Sequence, residues 1–193
     1  MCYMDFYSFF KYVNYNSVVI LSYFFISFFA LILNVITGGS SNKLLFSTYR
    51  SNIFNPLTYL RLVLHVFGHA DWEHFRNNFL KILLIGPMVE DKFGSYNLFI
   101  MIIITAVLTG ILNSILSKKT MLLGASGIAF MLIILSSFVN IQAGKIPLTL
   151  IFIFLFYVFD EIRDGIFKKD NISHFGHIIG ALCGCVYGFY ILW

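Results

Sequence analysis

Ser126 stands in an uncharged run, Met121-Leu122-Leu123-Gly124-Ala125-Ser126-Gly127-Ile128-Ala129-Phe130, with small residues on both sides that leave its hydroxyl uncovered. A later apolar run, Ser173-His174-Phe175-Gly176-His177-Ile178-Ile179-Gly180, carries His177. A hydroxyl and an imidazole within hydrogen-bond reach make a nucleophile and its general base. A serine alone in a membrane helix usually bonds back to its own helix or holds helices together. The pair gains meaning only if the chain brings both groups to one place. His74 and Asn78 add two neutral donors, spaced i, i+4 on one helix face. Two such donors beside a nucleophile are what a tetrahedral oxyanion needs.

The elements that must position these groups are membrane spans. Of 193 residues, 59% are hydrophobic and 11% charged, whereas a soluble domain carries about 25% charged residues. The mean hydropathy is +0.85. The apolar residues come in long runs rather than as a periodic stripe, which is the pattern of an all-α, multi-pass membrane protein. A short N-terminal segment at 1–16 precedes a membrane domain at 17–193. Six spans are expected, near 17–36, 74–89, 96–116, 121–138, 146–159 and 172–193. The first is too long for a signal-peptide core and lacks a cleavage site, so it reads as retained. The connection at 37–73 is too long for a structureless loop; Asn55-Pro56, Trp72 and the apolar stretch Leu60–Phe67 predict a partly embedded one.

Span parity places the chemistry. Spans two, four and six run the same way, and His74, Ser126 and His177 each stand near the start of theirs. All therefore lie at similar depth on one side of the membrane. The second span also holds Arg76, Asn77 and Lys81, and polar residues at that depth are expected to face the protein interior or a water-filled cavity. Gly176, Gly180, Gly184 and Gly188 recur every four residues and make a smooth groove that a neighbouring backbone can approach. That close approach is what would carry His177 to the serine-bearing helix. Asp160, Asp164 and Asp170 fall in the loop between spans five and six, so no aspartate is placed to orient His177 and the pair reads as a dyad.

Other chemistries find less support. The net charge of +4 comes from basic residues scattered among loops, with no basic helix to track phosphates, so no nucleic-acid partner is expected. Cys2, Cys183 and Cys185 form neither a disulfide framework nor a zinc spacing, and the last two read as small packing residues. His65, His69 and His74 could be metal ligands, but there is no His-Glu-x-x-His and no carboxylate on their face. No metal and no cofactor are expected.

Three stretches together resemble the rhomboid family of intramembrane serine proteases. His65-Val66-Phe67-Gly68-His69-Ala70-Asp71-Trp72-Glu73-His74-Phe75-Arg76-Asn77-Asn78 resembles the family's first-loop and second-helix pattern, histidines followed by His-x-x-x-Asn. Gly124-Ala125-Ser126-Gly127 is similar to Gly-x-Ser-Gly, and His177-Ile178-Ile179-Gly180-Ala181-Leu182-Cys183-Gly184 to His-x-x-Gly-x-x-x-Gly. They occur in order across about residues 50–190.

The resemblance implies a six-helix rhomboid-like bundle with Ser126 as nucleophile and His177 as general base and acid. His74, Asn78 and the Ser126 N–H would hold the oxyanion. It implies a serine endopeptidase cutting in or near transmembrane segments of membrane-protein substrates, with the lipid bilayer as its other partner. The membrane expected for it is a bacterial cell membrane. Glu90 resembles a structural position after the second helix. The family's Trp-Arg pair is here Leu60-Arg61, and Phe130 stands where tyrosine is frequent, from which it could stack on the His177 ring. Non-proteolytic relatives that bind membrane segments form the alternative; these typically lose the serine or the histidine, and this chain keeps both. His174 is a second candidate base, set aside because Gly180 and Gly184 follow His177 at the family spacing.

Two topology rules disagree. Lys43, Arg50, Arg61, Arg76, Lys118, Lys119, Arg163, Lys168 and Lys169 fall on the active-site side, against Lys11, Lys92 and Lys145 on the other. An excess of positive charge marks the cytoplasmic side. The resemblance instead implies a site that opens to the exterior.

Overall fold

The structure is a computed structural model that describes residues 12–116, 120–142, 144–167 and 174–192, with the side chains of 191 and 192 outside the description. The described residues form helices joined by short connections, with one isolated β-bridge between Thr48 and Leu122. Helix α1 covers Val18–Ile36, α2 Ser40–Leu44, α3 Pro56–Leu64, α4 Trp72–Phe93 and α5 Ser95–Leu116. A 3₁₀ turn, His65–Phe67, follows α3. Helix α6 covers Ser126–Ser136, and α7, Leu148–Ile153, runs through a π-helical turn at Phe154–Val158 into α8, Phe159–Phe167. The last helix, α9, is His174–Leu192.

Helices α1 and α5, at 19 and 22 residues, are the two among the described residues long and apolar enough to cross a membrane. At 1.5 Å per residue they measure roughly 28 and 33 Å, close to the hydrocarbon thickness of a bilayer. The others depart from the six-span expectation in instructive ways. Helix α6 has 11 residues and starts five residues later than the apolar run does, because Met121–Ala125 is drawn into other bonds described below. Its residues Ile128–Leu132, Ile134 and Leu135 are buried, so it is apolar all round and sits at the centre of the bundle. Helices α4, α5 and α9 pack around it, and its contact with α9 is the most extensive between any two helices.

The fifth span was expected to stop at Phe159, with acidic residues in the loop beyond. Instead the helix runs on to Phe167. Asp160 and Asp164 both pair with Arg163, at 2.9 and 3.0 Å, so the charges that read as loop are one solvated helical face. Asp170, Lys168, Lys169, Lys118, Lys119, Cys2 and Lys11 lie outside the described residues. In α4 the polar residues also divide. Residues 74, 78 and 81 fall on one stripe that lines a cavity, whereas Arg76 and Asn77 are exposed on the opposite side.

Local chemistry explains the helix starts. Asn55 Oδ1 accepts from the Leu57 N–H (3.0 Å) with Pro56 at the first helical position, which starts α3. Asp71 Oδ1 accepts from the His74 N–H (2.8 Å) and starts α4, so His74 faces inward from a capped first turn. The first loop is held as folded structure. Arg61 is buried; its Nε donates to Leu44 O (2.8 Å) and its guanidinium lies 4.7 Å from the centre of the Tyr49 ring. Leu60-Arg61 thus anchors the loop without the tryptophan usual before it, and Arg61 is not a free charge for a topology count.

Glu90 plays the structural part expected of it. From α4 its carboxylate accepts the Val19 N–H (3.0 Å), the Ile20 N–H (3.1 Å), the Ser95 hydroxyl (2.7 Å) and the Ser17 hydroxyl. An anion on the unpaired N–H groups at the start of α1 satisfies donors that would otherwise be buried and opposes the helix dipole. Glu90→Ala is expected to lower stability by about 2–3 kcal/mol, measured as thermal unfolding in detergent. An unchanged midpoint would mean water caps α1 just as well.

Candidate active site

Ser126 is the first residue of α6. The N–H groups of a helix's first turn have no helical partners, and the dipole adds partial positive charge there. A hydroxyl at this position therefore stands beside ready-made donors. The segment before it is fixed from three sides. Thr48 and Leu122 exchange backbone bonds of 2.8 and 2.9 Å, the Gly124 N–H donates to His65 O (3.0 Å), and the Ala125 N–H donates to His69 Nε2 (3.4 Å). His65 and His69 are buried braces for the serine loop, and their Nδ1 atoms donate to Arg61 O and Phe67 O. The His69 ring stands 5.1 Å from that of His74, edge to face.

Gly124 has φ +121°, a backbone region that side chains rarely adopt. A Cβ there would also stand 2.8 Å from His74 Nε2 and 3.7 Å from Asn78 Nδ2. The first glycine of Gly-x-Ser-Gly thus lets two polar side chains of α4 reach the serine loop. Asn78 is buried, and its Nδ2 has no hydrogen-bond partner.

The glycines of α9 deliver His177. A Cβ on Gly180 would lie 2.0 Å from Gly127 O, and one on Gly184 would lie 2.7 Å from Met131 O. Gly127 in turn approaches Gly176 O within 3.2 Å of where its own Cβ would be. The two backbones therefore touch directly beside Ser126 and His177. Phe130, one turn after Ser126, stacks flat on the His177 ring with centroids 4.4 Å apart and planes 8° apart. Tyr157 stacks on the other side of Phe130 at 4.7 Å.

His177 also has a carboxylate partner. Its Nδ1 donates to Glu161 Oε2 at 2.9 Å, and His174 Nδ1 donates to the same oxygen at 2.6 Å. The sequence reading weighed only aspartates, in a segment taken for a loop, and so passed over Glu161 as a partner of His177. Glu161 stands just past the apolar stretch that ends at Phe159. Burial pushes its carboxyl up, but the bonds from His177 and His174 outweigh this and hold it below the usual carboxylate range.

His74, Asn78, Ser126 and His177 all line one cavity of about 520 Å³, together with Lys81, Phe130, Tyr157 and Glu161. The four expected residues are thus brought together from three helices. Ser126 and His177 both face this space, with no direct hydrogen bond between them. Sequence reading missed Glu161 and Tyr157, and took His65 and His69 only as part of the first-loop pattern and as possible metal ligands. The spacing of Glu161 and Tyr157 carries no motif, because each acts through a partner elsewhere in the chain.

A helix bundle thus gathers a serine, a histidine and two neutral donors around one cavity. The family model for the Rhomboid domain matches residues 56–193, and the chain belongs to the rhomboid family. It is similar to Rhomboid-like protein 11, chloroplastic, of Arabidopsis thaliana, with 24% identity over 140 residues, covering 65% of this chain and 50% of that protein. It is also similar to RHOMBOID-like protein 6, mitochondrial, of the same plant, with 27% identity over 135 residues, covering 68% and 43%. The chain spans about half the length of the curated relatives it matches. The family and the apolar helices are those of a membrane protein. Both relatives are named for plant organelles, so neither supports the bacterial cell membrane expected from the sequence.

Proposed function

We propose that this protein is an intramembrane serine protease that hydrolyses peptide bonds in or near transmembrane segments of membrane-protein substrates. On this reading six helical spans enclose the site. His177 Nε2 takes the Ser126 proton as Oγ attacks the scissile carbonyl carbon. The oxyanion is held by Asn78, His74 and the Ser126 N–H at the helix start. The protonated His177 then gives its proton to the leaving amine as the C–N bond breaks. Water, deprotonated by the same nitrogen, releases the acyl group from Ser126.

The observation that carries this reading is the shared cavity, which Ser126, His177, His74 and Asn78 all line from three helices. The test is labelling of the detergent-purified protein with a serine-reactive fluorophosphonate. Wild type should label, and Ser126→Ala should not. A wild type that neither labels nor cleaves any reconstituted transmembrane substrate would instead be a binding relative without proteolysis.

A further inference from the structure

We propose that Glu161 is the positioning residue for His177, so that the site works as a serine–histidine–glutamate series rather than a dyad. The inference rests on the protease reading above and adds a residue to it. A lone histidine base has two handicaps. Its ring can rotate, and its proton can sit on either nitrogen. Only the form with hydrogen on Nδ1 leaves Nε2 able to accept the serine proton. Glu161 Oε2 at 2.9 Å from Nδ1 selects that form, because a carboxylate in its ionised state only accepts. When the proton arrives on Nε2, the same carboxylate faces the new positive charge.

The chain reaches this arrangement through the π-helical turn at Phe154–Val158. Such a turn adds a residue to a helical cycle and re-aims the side chains after it, and it recurs at functional sites. Here Tyr157 and Glu161, four apart on one face, both enter the cavity. Tyr157 backs Phe130, and Phe130 covers the face of the His177 ring. Glu161 holds the ring's edge. Face and edge together leave the imidazole one orientation, from groups on two helices that do not carry it.

Glu161, His174 and His177 could also be read as metal ligands, since their ligand atoms lie within 4.8 Å of one another. The distances fit hydrogen bonds. Around a tetrahedral zinc with bonds near 2.1 Å, ligand atoms stand about 3.4 Å apart. The Glu161 oxygen is 2.6 and 2.9 Å from the two nitrogens, which are hydrogen-bond lengths. The arrangement holds protons. His174 shares the oxygen and steadies it; the other titratable groups around the cavity are His74, Asp71, Lys81 and Tyr157.

The test is Glu161→Gln in the full chain, assayed beside wild type and Ser126→Ala with one reconstituted transmembrane substrate. The amide can still accept from Nδ1 but carries no charge. We expect kcat to fall about 10- to 100-fold with KM within about twofold and the unfolding midpoint unchanged. The loss is smaller than the roughly 10⁴-fold found on neutralising a fully buried triad acid, because the Glu161 side chain is 20% exposed. Glu161→Asp, which keeps the charge but shortens the reach, should recover part of kcat. If both variants lose activity only in proportion to folded protein, the role is structural and the proposal fails. If kcat of Glu161→Gln equals wild type while Ser126→Ala is inactive, the dyad stands alone and the proposal is overturned, with the protease reading intact. A wild type that neither labels nor cleaves overturns both. Chelator treatment should leave wild-type activity unchanged; loss on chelation that Zn²⁺ restores would assign the three residues to a metal and overturn the proposal.

Discussion

Ser126→Ala is expected to lower turnover of a reconstituted transmembrane substrate by about 10⁵- to 10⁶-fold, and His177→Ala by nearly as much. The double variant should be no worse than either single one. A nucleophile without its base, or a base without its nucleophile, has already lost the covalent route, so the second removal deletes nothing further. What remains should come from the start of α6 with His74 and Asn78, which still surround the bound carbonyl. KM should change little, since the substrate's length is held elsewhere. Cleavage kinetics in proteoliposomes for wild type, both singles and the double check this. Losses that multiply in the double variant would show that the two residues act separately, and the proposed mechanism would be wrong.

Gly180→Ala is expected to cost about 100-fold in cleavage and about 3 kcal/mol in stability, although the residue touches no substrate. The added methyl carbon would lie 2.0 Å from Gly127 O and 2.8 Å from its carbonyl carbon. Both atoms belong to the backbone, so no side chain can turn aside. The helices must part by roughly 1 Å or more, in an interior that packs without slack. That displacement lands between Ser126 and His177. Gly188→Ala is the informative comparison: its methyl would meet the Phe138 ring at 2.4 Å, a side chain rather than backbone, and neither residue lines the cavity. It should cost stability but little turnover. Gly144→Ala has nothing within 4 Å, but its φ of +78° makes it a control for backbone strain alone. Unfolding midpoints and kcat for the three variants separate these effects. Equal turnover in Gly180→Ala and Gly188→Ala would remove the groove from the mechanism.

Much of this was legible in the chain itself. The apolar runs fixed an all-helical protein because a backbone in lipid must bond to itself. The positions of His74, Asn78, Ser126 and His177 near the starts of alternate runs led to the expectation that they meet, and they line one cavity. The glycine repeat foretold where two backbones would touch, because the absence of a side chain is a property of sequence. Phe130, a turn past Ser126, was placed to stack on His177 for the same reason: helical spacing is local.

The rest depended on contacts between distant segments. The run beginning at Met121 is as apolar as a helix, yet Leu122 pairs with Thr48 and Gly124 with His65, so α6 starts only at Ser126. Hydropathy cannot see that competition, because it counts transfer to lipid and not the partner each N–H finds. The stretch after Phe159 is polar enough for a loop, yet it stays helical and turns Glu161 toward His177. Residue types and spacing picked out four groups that the folded chain brings to one cavity. Which of them hold one another still was decided by packing, since only the folded chain brings Glu161, Phe130 and Tyr157 to bear on one imidazole ring.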